Sequence, residues 1–295
     1  MNSLRKLKKQ LYLRIKTMNR ENENGEILFL KLFQPFTQFR NPFTFFYAQT
    51  FPLPPKSTIL GFLENATDKY YSGCFDDLKI SIWGYYSSIY WNYLHFIKGN
   101  PYLDENRILK GGDKKPLYGL NKSQRTPTYQ QEIAGGNFYI FLKGEKKKIE
   151  ELYKSFNPVN KVLNLGRGED VVFIRDVKIL NDHLDNKDLK DYHISIGTYI
   201  LTNIETNQSV LINESIISTL PVYSITLNQK FVYRENGQFI SSRDEIFNKN
   251  KIERKVNFKS VYYIENRKII LKNTLKTFIF KFDNIKFYLN ELSWL

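Results

Sequence analysis

Short apolar runs separated by polar stretches recur along the chain and predict β-strands. Ile27–Phe33 is an apolar run of strand length, which is typical of a buried strand. Lys79–Ile97 is dense in aromatic and β-branched residues and predicts a strand or a hairpin. Asn137–Leu142 and Val171–Leu180 show the same pattern further along. The sequence therefore predicts a sheet built from well-separated strands.

Two segments have the apolar spacing of a helix instead. The first follows a proline-rich approach, and Ser57 or Thr58 is predicted to cap it by accepting hydrogen bonds from free helix amides. Gly61 lies inside this helix and costs about 1 kcal/mol relative to alanine, which indicates close approach of the sheet or of a ligand. The second helix is predicted over Glu145–Phe156. The apolar face of the first helix is Ile59, Phe62, Leu63, Ala66 and Tyr70.

The order of these elements predicts an α+β fold. Strand, helix, strands, helix and strand follow one another in a βαββαβ order, which is typical of a ferredoxin-like or RRM-like domain, here over residues 27–182. A stretch rich in glycine, proline and basic residues interrupts it from about 98 to 135 and predicts a protruding insertion. Residues 183–295 are predicted to be β-rich, with strands at 222–233, 256–265 and 268–289.

The charge distribution favours a polyanionic partner. The 295 residues carry a net charge of +14, and residues 1–20 hold seven basic and no acidic residues, so 14 − 7 = +7 remains for the rest. Residues 98–125 carry seven basic and three acidic residues, a net charge of +4. The basic arm over residues 1–26 is either an amphipathic helix that contacts RNA or a partner, or a frayed extension.

Several classes of protein are disfavoured by the composition. No run of 18 or more apolar residues is present, which argues against a membrane span, and a cytoplasmic location is expected. Cys74 is the single cysteine, so an internal disulfide and a cysteine-rich zinc site are excluded. His95, His183 and His193 lack metal-ligand spacing. We therefore expect no metal, no cofactor and no catalytic residue, although the composition leaves a metal-independent ribonuclease open.

The segment Leu165–Asp170 is a candidate phosphate site. Gly166 and Gly168 let main-chain amides approach a phosphate closely, and Arg167 can chelate one with two hydrogen bonds. The alternative is a tight turn in which Arg167 pairs with Glu169 or Asp170.

A second candidate is a group of aromatic residues around Arg40. Rings interleaved with cations suit the stacking of splayed single-stranded bases, whereas the alternative is ordinary core packing, which must hold for most of them. These residues are Phe36, Phe39, Phe43, Phe45, Phe46, Tyr47 and Phe51.

Three motifs resemble the Cas-five family, the fifth Cas protein of type I CRISPR effector complexes. The strand that leads to Phe39-Arg40, followed by Phe51–Gly61, resembles its N-terminal signature. Arg125–Ile133 resembles the base of its thumb. Leu165–Asp170 resembles a loop usually written L-G-R-S-E-D, with Gly168 in place of the serine. The resemblance spans roughly residues 27–180.

The resemblance implies a fold, partners and site residues. The fold would be a RAMP domain with a thumb, in a subunit of a type I-B Cascade-like complex. That subunit would bind the 5′ handle of the CRISPR RNA, cap the backbone subunits, contact the large subunit and help target DNA recognition. RNA contacts would come from phosphate-binding Arg40, Lys56 and Arg167, from stacking Phe39 and Tyr129, from Arg125 at the thumb, and from amides near Ser57, Gly61, Gly166 and Gly168.

Two other functions stay open. One is a metal-independent endoribonuclease that processes pre-CRISPR RNA, as in the type I-C branch of the family. The other is a structural assembly subunit without direct RNA readout. The favoured hypothesis requires that the turns bearing Arg40 and Arg167, which are distant in sequence, converge on one side of the molecule.

Overall fold

The fold is described from a computed structural model that covers residues 25–44, 47–97, 125–180, 184–202, 218–238, 240 and 252–295. Nearly all of the predicted arm over residues 1–26 and most of the predicted insertion lie outside these residues. The described part is mostly β-sheet. Its elements are β1 (Glu26–Thr37), β2 (Tyr47–Ala48), α1 (Lys56–Thr67), β3 (Lys79–Tyr85), β4 (Ser88–Ile97), β5 (Arg125–Gly144), α2 (Lys146–Phe156), β6 (Phe173–Ile179), β7 (Asp185–Ile194), β8 (Gly197–Leu201), β9 (Val222–Tyr233), β10 (Ile252–Ile264), β11 (Arg267–Phe282) and β12 (Ile285–Leu289).

The main sheet runs in the order β6-β1-β5-β3-β8-β10-β9, and β2 and β4 both pair with β5. Four neighbouring strands of this sheet and the two helices follow one another along the chain as β1, α1, β3, β5, α2 and β6, which is the predicted βαββαβ order. The segment Lys79–Ile97, predicted as a strand or a hairpin, forms the two strands β3 and β4, which pair with β5 and not with each other. In contrast, the strand predicted over Asn137–Leu142 is only part of β5. The strand passes through Gly135, whose φ is +63°, and continues into its pairing with β4.

The centre of the main sheet is buried on both faces, and β1, β3 and the second half of β5 carry buried apolar residues at consecutive positions. On β1, Leu28, Leu30 and Leu32 pack in the core that contains α1 and α2. The alternate residues Ile27 and Phe29 pack in a second core on the other face, against residues of β11 and β12. The helices and the second sheet therefore cover opposite sides of one central sheet.

Helix α1 differs from its prediction at both ends. Its N-cap is Pro55, no side chain caps it, and Ser57 and Thr58 lie within its first turn. It ends at Asp68, which is left-handed with φ of 57°, so Tyr70 lies outside the helix and is exposed rather than on the apolar face. A residue that follows a left-handed position leaves the helical path, which the periodicity alone does not show.

The C-terminal strands join both layers. Strands β8, β10 and β9 extend the main sheet, whereas β12-β11-β7 forms a separate three-stranded sheet. The segment predicted as one strand over residues 268–289 is two strands, because Asp283 and Asn284 adopt positive φ and turn the chain. The division at residues 182 and 183 stays a prediction, but strands from both sides of it share one sheet.

Candidate functional site

A polar groove of about 650 Å³ lies between α1, the loop after α2 and β9. Five residues predicted for RNA binding line it, from two segments that are far apart in sequence: Ser57, Gly61, Gly166, Arg167 and Gly168. The other lining residues are Thr58, Phe62, Asn65, Tyr70, Tyr71, Asn164 and Gln229. Gln229 belongs to β9, so the C-terminal half supplies one wall of the groove. No local motif in the sequence indicated that contribution.

The loop over residues 165–170 is fixed to the end of β1. The hydroxyl of Thr37 donates to the carbonyl of Leu165 at 3.1 Å. The main-chain amide of Gln38 donates to Oδ2 of Asp170, also at 3.1 Å. Because Arg40 follows Gln38 by two residues, the two turns predicted to converge are neighbours in the structure. Arg40 itself is exposed, and its main chain forms an isolated antiparallel β-bridge with Thr50.

The side chain of Arg167 is committed to carboxylates rather than open to a phosphate. Its Nη2 donates to Oδ1 of Asp170 at 2.7 Å, and its Nη1 donates to Oε1 of Glu132 at 2.8 Å. Its Nε also lies 3.3 Å from Oε1 of Glu169. Burial lowers the pKa of the Arg167 guanidinium, but the hydrogen bonds to Asp170 and Glu132 outweigh it and raise that pKa overall. The direct phosphate contact predicted for Arg167 is therefore corrected, and the tight-turn alternative describes the observed pairing.

Glu132 is the buried partner that sequence reasoning missed. Burial alone raises the pKa of its carboxyl, but hydrogen bonds from Arg167 and Tyr90 hold the pKa below its usual value. Three carboxylates therefore surround one guanidinium, and the local charge of this wall is negative. A negative wall disfavours a phosphate in contact with it.

Lys56 points away from the groove into the protein. Its ammonium donates to the main-chain oxygens of Leu78 at 2.8 Å and Leu295 at 2.9 Å. Burial lowers the pKa of Lys56 to about 8. The phosphate contact predicted for Lys56 is therefore wrong. Its ammonium instead holds the start of α1 against Leu78, which precedes β3, and against Leu295.

The glycines that line the groove differ in whether the protein's own structure requires glycine at their positions. A Cβ on Gly166 would lie 2.7 Å from Oδ2 of Asp170, and its φ of +113° is available mainly to glycine, so the loop itself requires that residue. A Cβ on Gly61 or Gly168 would meet nothing within 4 Å. Internal packing therefore does not explain why glycine occupies positions 61 and 168, although both open onto the groove.

The aromatic residues near Arg40 divide into buried and exposed rings. Phe39 packs on Phe138 with ring centroids 5.3 Å apart and is 2% exposed, so the stacking role predicted for Phe39 is corrected. Phe51 is also buried, whereas three rings are exposed: Phe36, Phe43 and Tyr47. Phe45 and Phe46 lie outside the described residues.

An exposed aromatic face lies on β2, β4 and β5 and consists of Tyr47, Trp91, Tyr93 and Tyr129. Tyr129 is 57% exposed and Trp91 is 48% exposed. Tyr93 and Tyr129 are cross-strand partners with ring centroids 5.3 Å apart, and Tyr47 and Trp91 are 6.0 Å apart. Trp91 and Tyr93 were not among the predicted site residues, although their alternation along β4 signals one shared face. The side chain of Arg125, at the start of β5, lies outside the described side chains.

Within the described ranges, no group of three or more His, Cys, Asp or Glu side chains is arranged to hold a metal ion. In the same part of the chain, no helix has both the length and the apolar character needed to cross a membrane.

A β-rich protein with a polar groove built on a βαββαβ element order is the class that these observations define. The sequence profile described as CRISPR-associated protein (Cas_Cas5) matches residues 27–238, and the chain belongs to that family. The family indicated by the N-terminal signature is thereby confirmed. No match was found among curated proteins.

Solved structures show weaker likeness. A chain of "CRISPR RNA-guided surveillance complex" is 14% identical, with 83% of this chain and 91% of that chain covered and a TM-score of 0.46. A chain of "Crystal structure of Cas protein" is 14% identical, with coverage of 83% and 95% and a TM-score of 0.37. A chain of "Cryo-EM structure of the Type III-B Cmr-beta bound to cognate target RNA and AMPPnP, state 1" is 15% identical, with coverage of 84% and 86% and a TM-score of 0.34.

Proposed function

We propose that this protein is a non-catalytic subunit of a type I Cascade-like complex, of subtype I-B, that binds the 5′ handle of CRISPR RNA. It caps the backbone subunits, lies beside the large subunit and helps target DNA recognition. The observation that carries the proposal is the convergence of Ser57, Gly61, Gly166 and Gly168 on one groove in a protein of the Cas5 family. We also propose that the βαββαβ part is a ferredoxin-like RAMP domain, since its strands lie in the order β6-β1-β5-β3.

The groove suits the neutral parts of a nucleotide. Asn65, Asn164 and Gln229 are amide side chains on its lining, and amides pair with the edges of splayed RNA bases and with the 2′-hydroxyl. Gly61 and Gly168 leave room for the ligand to reach the main chain on two sides. Arg167 and Lys56 serve this site by holding its walls rather than by touching RNA.

Phosphates are bound outside the negative wall of the groove. Arg40 is exposed on the turn beside the groove and is the proposed phosphate contact there. Residues 98–125 carry a net charge of +4, which adds to the attraction of the chain for RNA. The RNA therefore lies with its bases and sugars toward the groove and its phosphates toward Arg40.

The aromatic face supplies stacking next to these contacts. Tyr129 presents an exposed ring at the root of the insertion, and Trp91 lies on the same face. Each base stacked on such a ring contributes about 1–3 kcal/mol to binding. The face therefore holds unpaired bases that lead into or out of the groove.

Binding without cleavage is the proposed mode of action. The residues that line the groove, as far as the structure describes it, include no histidine. The one guanidinium among them is engaged by carboxylates. Neither a histidine base nor a cation free of carboxylate partners is therefore found in this lining to act on a bound nucleotide.

The test measures whether the purified full-length chain binds a defined RNA and whether it cleaves that RNA. Repeat RNA from the protein's own CRISPR array and a scrambled RNA of equal length are titrated at several salt concentrations, in EDTA. We expect salt-sensitive binding with preference for the repeat RNA, which stays intact. Equal affinity for both RNAs contradicts handle recognition, and discrete cleavage in EDTA establishes the endoribonuclease instead. No binding, alone or with the other complex subunits, favours the assembly role.

A further inference from the structure

We infer that Glu132 and Arg167 are positioning residues that couple the groove loop (residues 165–170) to the ribbon formed by β4 and the first half of β5. Through this contact, RNA bound in the groove sets the orientation of the ribbon, and the ribbon in turn affects affinity in the groove. The inference rests on the function proposed above and adds a mechanical link between its two RNA-binding parts.

On the loop side, the contact begins with a closed network. Arg167 donates from Nε to Asp170 at 3.1 Å and from Nη2 to the same carboxylate at 2.7 Å. Oδ2 of Asp170 also accepts from the main-chain amide of Arg167 at 2.8 Å. Asp170 is only 2% exposed, and its carboxylate reaches β1 through the amide of Gln38. The guanidinium is therefore fixed in one orientation by its own loop.

On the ribbon side, Glu132 divides its two oxygens between elements. Its Oε1 accepts from Nη1 of Arg167 at 2.8 Å. Its Oε2 accepts from the hydroxyl of Tyr90 at 2.9 Å and from Nδ2 of Asn92 at 3.3 Å, both on β4. Gln130 completes the shell by donating to Oε1 at 2.8 Å. One carboxylate therefore joins the loop, β5 and β4.

The environment makes this link strong compared with a surface ion pair. Glu132 is 7% exposed, and a charge-assisted hydrogen bond in such surroundings is screened little by water or salt. If loop and ribbon separate, Glu132 is left as a buried charge without Arg167 as its counterion, which opposes independent movement of the two. A ligand that holds the loop must therefore also bias the ribbon, and the coupling is reciprocal.

Glu132→Gln tests the link because it keeps the size of the side chain and leaves the Arg167–Asp170 pair in place. The matched control is Glu169→Gln, which removes another carboxylate from Arg167 but lies within the loop and is 69% exposed. In the free full-length chain, amide hydrogen exchange should rise in both the loop and residues 88–94 for E132Q only. Affinity for the repeat RNA should fall about tenfold for E132Q and by less than about twofold for E169Q.

A second measurement separates coupling from plain destabilisation. In an Arg167→Lys background, a single ammonium cannot span Asp170 and Glu132, so adding E132Q should weaken RNA binding no further. Additive losses, equal losses for E132Q and E169Q, or exchange changes confined to β5 would each overturn the coupling. If the wild-type chain binds no RNA, alone or with the other complex subunits, the proposed function fails, while the exchange comparison between the two variants still decides whether loop and ribbon are linked.

Discussion

The ammonium of Lys56 donates to the main-chain oxygen of Leu295 at 2.9 Å, although the two residues are 239 positions apart. The same ammonium bonds Leu78, and the amide of Leu295 donates to the carbonyl of Ile80 at 2.9 Å. The first turn of α1, the start of β3 and residue 295 are therefore joined at one buried cation. This junction sets the position of the helix whose Gly61 faces the groove.

Lys56 should make stability depend on pH in a specific window. Burial lowers its pKa from 10.5 to about 8, so between these values the unfolded chain binds more protons than the folded one. The free energy of unfolding should therefore increase with pH there, with a slope of at most about 1.4 kcal/mol per pH unit. Urea unfolding of the wild type and of Lys56→Met from about pH 7.5 to 10 measures the difference, in which contributions of other groups cancel. Parallel pH profiles would contradict a depressed pKa.

Gly61→Ala should separate stability from binding. Its added methyl group meets nothing within 4 Å, so the substitution should stabilise the helix by about 1 kcal/mol. The same methyl group projects into the groove and should weaken RNA binding. Thermal unfolding and RNA titration of one preparation give both values. Gly166→Ala is the control, because its φ of +113° predicts a loss of stability instead. Unchanged affinity in G61A would place the RNA elsewhere.

Arg40→Gln and Gln229→Ala should affect RNA binding in different ways. Loss of one phosphate contact at Arg40 should reduce the slope of log affinity against log salt concentration by about 0.7. Removal of the neutral amide of Gln229 should lower affinity by a similar factor at every salt concentration, because no counterion release depends on it. Titrations at four or more salt concentrations distinguish the two. A slope that is the same in Arg40→Gln and the wild type would remove Arg40 from the phosphate path.

Tyr129 should act through its ring rather than its hydroxyl. Tyr129→Ala should weaken binding of the repeat RNA by about 1–3 kcal/mol, whereas Tyr129→Phe should bind nearly as well as the wild type. Because the side chain is 57% exposed, neither change should alter the unfolding midpoint appreciably. Fluorescence titration with labelled RNA measures the affinities. Equal losses in both variants would indicate a hydrogen bond from the hydroxyl in place of stacking.

Secondary structure was most predictable where burial follows a local period. The predicted helix over Glu145–Phe156 is α2, because its apolar residues recur at helical spacing and face one core. The predictions failed where a few backbone angles decide the outcome. Gly135 lets β5 continue instead of starting a new strand, and Asp68 ends α1 before Tyr70. Such angles carry little signal in composition or periodicity.

The candidate site was predictable as a set of segments but not as a set of contacts. The signature around Ser57 and Gly61 and the loop of Gly166 do line one groove. The partners of Arg167 and Lys56 could not be foreseen, because Glu132 and Leu295 are distant in the chain and no local pattern pairs them. Both cations looked available in the sequence, but Lys56 is buried in the protein and Arg167, at the wall of the groove, is held by carboxylates.

Local motifs and the period of apolar residues were enough to predict the family, the βαββαβ order and the two segments that form the groove. Which cations stay free of protein partners followed from folding, since that depends on carboxylates and carbonyl groups that folding brings within hydrogen-bond distance. The tertiary structure also decided that β9 forms the third wall of the groove, because strand order in a sheet is set by packing among distant segments rather than by any one of them.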